Sequence, residues 1–377
     1  MNKLFKYVFG NGNVGRNYQS NQRRNFRGLS LTATALIFGV TAFLTLPQGL
    51  KGLNVDQAQA AAQIQAQAIQ PFEATNQNKG LTTPLHSYFS YGVKMIPHIE
   101  KRHRGGEDAY YVDDQLLVVL DGVGGWNNQG VDPGLFSRQL ASFIAMEQKL
   151  HPEKSLKTIL VDAVKQSTNM GSSTASLVRL DQNSQNGDVM KTTNLGDSGY
   201  VIFRIETPKL SENSQPVFSK QFRFKEQQYS FNFPYQCGTN CDLPYKADDN
   251  EHVLQDQDIV IVGSDGLFDN VFDDDMLSCI TPQLSVGSKS INNLFQVADC
   301  LANRAETYGH DRSYFSPFSK GAKEAGYNFL GGKLDDVTVV VAQFNKAQND
   351  AKNNEAISEN VTTVSDYSDS TSSTSDL

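Results

Sequence analysis

Several carboxylate side chains fall at the ends of apolar segments rather than in the polar loops between them. Asp121 directly follows Leu116–Leu120, and Asp265 follows the apolar run that begins at Ile259. Two further acidic pairs flank Gly105-Gly106 and the run that begins at Val337: Glu107 with Asp108, and Asp335 with Asp336. Carboxylates beside buried strands are costly unless something neutralises them. We therefore expect a positively charged partner near these strand ends.

These acids and the glycines beside them offer the oxygen ligands that hard divalent cations prefer. One Asp-Gly pair on its own is more simply a turn. Four clusters with the same placement instead favour a shared centre for hard divalent cations. The candidate metal-binding carboxylates in these clusters are Glu107, Asp108, Asp121, Asp265, Asp335 and Asp336.

The elements that must position these acids are short strands and amphipathic helices. Apolar runs rich in β-branched residues predict five strands: Leu116–Leu120, Ala175–Leu180, Tyr200–Ile205, Ile259–Val262 and Val337–Val341. Apolar residues at three- and four-residue spacing predict helices around 136–144, 156–164 and 291–301, the first with Asp132 as its N-cap. Strands and helices do not alternate strictly. An α+β fold with antiparallel sheets therefore fits better than a doubly wound fold.

Composition divides the chain of 377 residues into four parts. Residues 1–55 are basic and free of acids, which indicates a targeting segment, and 28–46 is an uncharged stretch long enough to span a bilayer. A secretory signal and the apolar part of a cleaved presequence are the alternatives to a membrane anchor at 28–46. Residues 56–85 have the composition of a linker, 86–344 that of one folded domain, and 345–377 that of a disordered polar tail.

The formal charge of −8 is the sum of +7 before Asp56 and −15 from there on. Such an acidic body argues against a nucleic-acid partner, because phosphate backbones attract clustered Lys and Arg. It suits a protein that concentrates divalent cations, although a solvated acidic surface is an equally ordinary explanation. The cysteines lack zinc-finger spacing and predict reduced thiols: Cys237, Cys241, Cys279 and Cys300.

Six short motifs occur along the chain, and four of them contain the acids described above: GEDA at 106–109, DGVGGW at 121–126, GSSTA at 171–175, NLGDSG at 194–199, SDGLFD at 264–269 and DDVTV at 335–339. Together, and in this order, they resemble the type 2C protein serine/threonine phosphatases. PH at 97–98, DPG at 132–134 and FNFPYQ at 231–236 resemble the branch of that family found in mitochondria and plastids. The resemblance covers 86–344 and implies two antiparallel β-sheets sandwiched between α-helices, an α-β-β-α four-layer sandwich.

The resemblance also implies a site for two Mg²⁺ or Mn²⁺ ions in the cleft between the sheets. Asp121 would bridge both ions. The Gly122 carbonyl and Glu107 would bind one of them, and Asp265 and Asp335 would complete the shell of the other.

Three further acids have implied roles around these ions. Asp197 would join Asp265 at a weaker third ion, with a turn aspartate as the alternative. Asp108 and Asp336 would orient metal-bound water. Many relatives have Asn where this chain has Asp336.

The chain departs from the family pattern at two places. Many members have an Arg four residues before the glutamate to hold the phosphate, but His103 stands there. Its neighbours Arg104 and Arg102 are the phosphate-binding candidates, with Arg104 favoured and a solvated basic cluster as the alternative. Many members also have a His that assists the leaving group where this chain has Val123.

The sequence thus predicts a metal-dependent phosphatase that hydrolyses phosphoserine and phosphothreonine with a metal-activated bridging water. The alternatives are a catalytically inactive phosphatase-like binding module and a small-molecule phosphomonoesterase. The expected partners are phosphorylated proteins and not nucleic acid, with membrane association through 28–46 and a monomeric catalytic domain. The basic targeting segment 1–55 predicts a mitochondrial location, at the inner membrane if 28–46 is retained. Another organelle or the nuclear or ER membrane is the alternative.

Overall fold

The computed structural model describes residues 73–76, 86–181, 189–241 and 244–347. Its strands are β1 (Glu73–Asn76), β2 (Tyr88–Ile96), β3 (Ala109–Val112), β4 (Leu116–Leu120), β5 (Ser172–Ser173), β6 (Ala175–Leu180), β7 (Val189–Leu195), β8 (Gly199–Thr207), β9 (Val217–Arg223), β10 (Gln228–Ser230), β11 (Phe233–Pro234), β12 (Cys237–Gly238), β13 (Asp248–Val253), β14 (Ile259–Gly263) and β15 (Val337–Asn345). Its α-helices are α1 (Pro133–Leu150), α2 (Leu156–Gln166), α3 (Asp265–Phe268), α4 (Asp273–Ile280), α5 (Leu294–His310) and α6 (Pro317–Glu324). Short 3₁₀ turns occupy Arg102–Arg104, Gly124–Gln129, Pro244–Lys246 and Thr281–Gln283.

Two antiparallel sheets form the centre of the fold. One has the strand order β1-β2-β15-β14-β8-β9 and the other β13-β7-β6-β4-β3. Helix α5 packs on β2 and β15, while α1 packs on β3 and β4. The sheets meet through contacts of β4 with β14 and β15. This arrangement confirms the predicted α+β fold with two sheets between helices.

Strand β4 shows why its sequence is apolar throughout. Leu117 and Val119 belong to the core between the two sheets, together with residues of β14 and β15. The alternate residues Leu116, Val118 and Leu120 are equally buried, on the opposite face of the strand. A strand covered on both faces has no solvent side to carry polar residues.

The predicted helices form, with one correction. Asp132 caps α1 as predicted, its Oδ1 accepting from Gly134 N at 3.0 Å. The helix predicted around 291–301 is α5, which begins at Leu294. The prediction was therefore wrong to include Ile291. The reason is that Asn293 caps the helix, accepting from Gln296 N at 3.1 Å, while Ile291 bridges to Leu284.

Two further findings differ from what the sequence indicated. Glu73–Asn76, inside the predicted linker, pairs as a strand with the Tyr91–Lys94 part of β2. The prediction of reduced thiols was wrong for Cys279 and Cys300, which form a disulfide between α4 and α5. These two helices pack together and bring the two Cα atoms to 5.8 Å, a proximity that sequence spacing does not reveal.

Residues 1–72 and 348–377 lie outside the described part, so the predicted targeting segment and almost all of the predicted tail lie there too. The same holds for the candidate membrane-spanning stretch 28–46. Among the helices that are described, none combines the length and apolarity needed to cross a bilayer.

The contact between β2 and α5 gives a stability prediction. A Cβ added at Gly92 would lie 2.3 Å from the backbone nitrogen of Phe295, so the strand and helix would have to separate. We expect Gly92→Ala to lower the free energy of unfolding by about 1–3 kcal/mol, measured by thermal denaturation. Gly125→Ala is the matched control, because a Cβ there meets nothing within 4 Å. Equal melting temperatures for the two variants would contradict this packing.

Candidate metal centre

The antiparallel register explains how the four carboxylates that the resemblance implies as ligands of the two ions approach each other. They are Glu107, Asp121, Asp265 and Asp335. In the β3–β4 strand pair, Ala109 lies opposite Leu120, so Glu107 and Asp121 extend from the same edge. In the β14–β15 pair, Gly263 lies opposite Val339, so Asp265 and Asp335 also share an edge. The two acidic pairs meet where the sheets face each other, because Lys101 Nζ contacts both Glu107 and Asp335, and the charge of Asp265 helps to raise the pKa of Asp121. We call this region the cleft.

The loop before Glu107 is held in place by Asp336. Its carboxylate accepts from the backbone nitrogens of His98 at 2.7 Å and Glu107 at 3.1 Å. Gly106 has a positive φ of 79°, and a Cβ there would lie 2.8 Å from Asp336 Oδ1. Glycine is therefore required twice over, by conformation and by space. Glu107 itself is fully buried.

The Asp121-Gly122 segment is fixed by the residues that precede β6. The Asp121 carbonyl accepts from Thr174 N and from Ser173 Oγ, both at 2.9 Å. Its backbone nitrogen donates to Thr174 Oγ1 at 3.2 Å. Gly122 N donates to the Glu107 carbonyl at 3.2 Å, where a Cβ at Gly122 would be only 2.6 Å from the same oxygen. Asp121 and Glu107 are thus locked together through their backbones.

Asp265 begins the one-turn helix α3, which follows β14 directly. The Asn270 amide, on the far side of this turn, donates to the carbonyls of Gly266 at 2.9 Å and Lys333 at 2.8 Å. It also accepts from Lys333 N at 2.9 Å. These bonds connect the Asp265 turn to the segment that carries Asp335.

Two lysine ammonium groups lie among the acids, and the sequence reasoning missed both. Lys101 Nζ is 2.7 Å from Glu107 Oε2, 2.9 Å from Asp336 Oδ2 and 3.4 Å from Asp335 Oδ1. Lys333 Nζ contacts Asp265 Oδ2, and it lies 2.8 Å from Asp269 Oδ2 and 3.5 Å from Asp335 Oδ2. The available signal was their position in the same short segments as Glu107 and Asp335.

The charges of this cluster shift one another's titration. Burial raises the pKa of Asp121 well above its usual range, and the Asp265 and Asp108 carboxylates add to this. Burial also raises the pKa of Asp269 to about 7, against the opposing charge of Lys333. Burial alone would raise the pKa of Asp335, but Lys333 and Lys101 outweigh it and lower that pKa. The lysines therefore favour the ionised form of Asp335, whereas burial favours the neutral forms of Asp121 and Asp269.

The donor set fits a hard divalent cation. It consists of carboxylate and carbonyl oxygens, and the buried Oδ1 atoms of Asp265 and Asp108 have no hydrogen-bond partner within the described residues. As the side chains stand in the described ranges, no three Asp, Glu, His or Cys side chains enclose a metal-sized space. The lysine ammonium groups lie between carboxylates instead.

The two candidate phosphate-binding arginines have different surroundings. Arg104 Nη2 lies 2.5 Å from Glu107 Oε1, and its Nη1 donates to Asn127 Oδ1 at 2.8 Å. Arg102 instead pairs with Glu306 of α5 and donates to the Pro97 carbonyl. The structure therefore brings Arg104, and not Arg102, into contact with a candidate metal ligand.

The remaining predicted residues occupy the margins of the cluster. Asp197 is buried and its Oδ2 accepts from Gln228 Nε2 at 3.3 Å. Asp108 accepts from Thr338 Oγ1 at 2.7 Å. Asp336 binds backbone nitrogens and Lys101, so its contacts are those of a residue that holds the Glu107 loop.

Comparison with known proteins places this arrangement in a family. No family model matches the chain. It is 34% identical over 258 residues to "Probable protein phosphatase 2C 80" of Arabidopsis thaliana, covering 67% of this chain and 57% of the relative. A rice relative, "Probable protein phosphatase 2C BIPP2C1", is 35% identical over 68% of this chain and 42% of its own length. The chain thus spans about half the length of these two curated relatives.

Two further comparisons cover a larger share of the matched protein. "Probable protein phosphatase 2C 26" of Arabidopsis thaliana is 32% identical over 67% of this chain and 83% of the relative. The solved structure of the photosystem II phosphatase PBCP is 27% identical, with a TM-score of 0.58 over 68% of this chain and 98% of that protein. The fold, the motifs and the relatives agree, and the chain belongs to the protein phosphatase 2C family.

Proposed function

We propose that this chain is a metal-dependent protein phosphatase that hydrolyses phosphoserine and phosphothreonine. The observation that carries the proposal is the meeting of two acidic pairs, Glu107 with Asp121 and Asp265 with Asp335, at one cleft between the sheets. Bound there, two Mg²⁺ or Mn²⁺ ions would supply the positive charge and the activated water that attack on a phosphate ester requires.

Each acid has a part in holding the ions. We assign Asp121 to both, Glu107 and the Gly122 carbonyl to one, and Asp265 and Asp335 to the other. Asp197 is assigned to a weaker third ion, since it shares a buried, negative environment with Asp265.

Arg104 is assigned to the substrate phosphate. Its guanidinium carries a bidentate set of donors and is a quarter exposed beside Glu107, so it can reach a phosphate in the cleft. Val123 has no proton to give to the leaving alkoxide. A proton at that step must come from solvent or from another group.

The proposals on substrate and location rest on composition and family rather than on the geometry of the site. We propose phosphorylated proteins as substrates and a single chain as the working unit. The basic, acid-free leader supports an organelle, with the mitochondrion as the specific prediction. Anchoring through 28–46 rests on that segment's length and apolarity alone.

The proposal is tested by comparing substrates with the full-length chain. Phosphate release from a phosphothreonine peptide and from glucose 6-phosphate is measured with Mn²⁺ and again with excess chelator. We expect rapid release from the peptide, slow release from the sugar phosphate and none with chelator. Faster turnover of the sugar phosphate would favour the small-molecule phosphatase. No turnover of either substrate would favour a binding module.

The metal-ligand assignment predicts the effect of neutralising single acids. Asp121→Asn and Asp265→Asn should each lower Mn²⁺-dependent kcat by at least about a thousandfold, because each removes a ligand of the reacting centre. Asp121→Asn should also melt at a higher temperature without metal. A carboxyl whose pKa is raised on folding makes the fold less stable at pH values above its unfolded pKa, because folding must then protonate the group or bury its charge, and Asn removes that cost.

The control for these variants is Asp274→Asn, an exposed acid on α4 outside the cleft. It should retain the activity of the unchanged chain. Activity in Asp121→Asn or Asp265→Asn comparable to that control would show that these carboxylates do not bind the reacting metals.

The two arginines give a second, internally controlled prediction. Arg104→Ala should lower kcat/KM for a phosphopeptide by about 10- to 100-fold, the loss expected for one or two charge-assisted hydrogen bonds. Arg102→Ala, which breaks the pair with Glu306, should change kcat/KM by less than about threefold. Steady-state kinetics with Mn²⁺ at saturation measures both. A larger loss in Arg102→Ala would reverse the assignment.

A further inference from the structure

The cations nearest to the proposed metal ligands are part of the chain itself. Lys101 reaches oxygens of Glu107 and Asp335, and Lys333 reaches oxygens of Asp265 and Asp335. The two lysines therefore contact three of the four carboxylates that we assign to the two main ions. A divalent cation bound to those carboxylates must use some of the same oxygen atoms.

We propose that Lys101 and Lys333 are built-in counter-ions of the metal centre, which stabilise its carboxylates without metal and compete with divalent ions for the same oxygens. This inference rests on the proposed function, because it takes the four carboxylates to be the metal ligands.

Both partners of each lysine–carboxylate pair are largely buried. The Lys101 and Lys333 side chains are only 20% and 17% exposed, and Glu107 and Asp265 are only 1% and 11% exposed. Removing one partner of a buried pair leaves an uncompensated charge, which is strongly destabilising. The lysines thus allow the acidic cleft to fold before any metal binds.

The lysine side chains are more mobile than the backbone that carries them. The backbone beside each lysine is fixed, by Asp336 around the Glu107 loop and by Asn270 at Lys333. The ammonium groups are instead carried on flexible four-carbon stems. Lys333 Nζ also lies 5.4 Å from the centre of the Phe318 ring, whose face attracts a cation. The Lys333 ammonium therefore has a favourable partner within reach besides the carboxylates.

Competition predicts opposite changes in two measured quantities. In the full-length chain, Lys333→Met and Lys101→Met should each lower the Kd for Mn²⁺ at least tenfold, measured by titration calorimetry. The same variants should melt lower in excess chelator, by about 5 °C or more. A lysine that merely positions the ligands would instead weaken Mn²⁺ binding when removed.

Lys154→Met is the matched control. Lys154 Nζ also lies between two carboxylates, 2.9 Å from Glu147 Oε2 and 3.0 Å from Asp162 Oδ2, but these acids are outside the metal centre. This variant should lose stability without changing the Kd for Mn²⁺. If Lys333→Met folds only when Mn²⁺ is added, that result supports the proposal in the same way.

The outcomes separate this inference from the function on which it rests. An unchanged chain that binds Mn²⁺, alongside lysine variants that bind it no more tightly, would overturn the inference alone. An unchanged chain that binds no Mn²⁺ and releases no phosphate would overturn the proposed function as well.

Discussion

Repulsion between buried carboxylates is the constraint on which the rest of the site depends. Glu107, Asp108, Asp265 and Asp336 are all nearly inaccessible to solvent, and Asp121 lies among them. Like charges this close cannot all be ionised without nearby cations. The surrounding structure supplies two lysines, an arginine and a set of backbone nitrogens. Divalent ions would complete the balance, so binding metal and relieving repulsion are the same event.

The fold turns positions far apart in sequence into neighbours by a simple rule. In an antiparallel pair, the end of one strand lies beside the start of the next, so acids at both ends share an edge. The β3–β4 and β14–β15 pairs each follow this rule. Because the two sheets face each other, the acidic pairs at their strand ends lie close together. Short polar residues then fix the turns. Ser173 and Thr174 hold the Asp121 backbone, and Asn270 holds the Asp265 turn.

The strands and the four carboxylates could be predicted because apolar runs and the acids that interrupt them are visible in the sequence. The lysines could not, since most lysines are solvated and only three-dimensional proximity distinguishes Lys101 and Lys333. The orientation of water by Asp336 stays a prediction, while its bonds to the backbone nitrogens of His98 and Glu107 and its pair with Lys101 are contacts that a sequence does not show. The Cys279–Cys300 disulfide was missed for the same reason, because helix packing and not spacing brings the cysteines together.

The most direct measurement is a crystal structure of the full-length chain with Mn²⁺, using anomalous scattering to locate the ions. The two-metal centre predicts two adjacent Mn²⁺ peaks, with Asp121 touching both, Glu107 on one side and Asp265 and Asp335 on the other. The absence of peaks at this cleft with Mn²⁺ in excess, whether or not Mn²⁺ binds elsewhere on the protein, would contradict it.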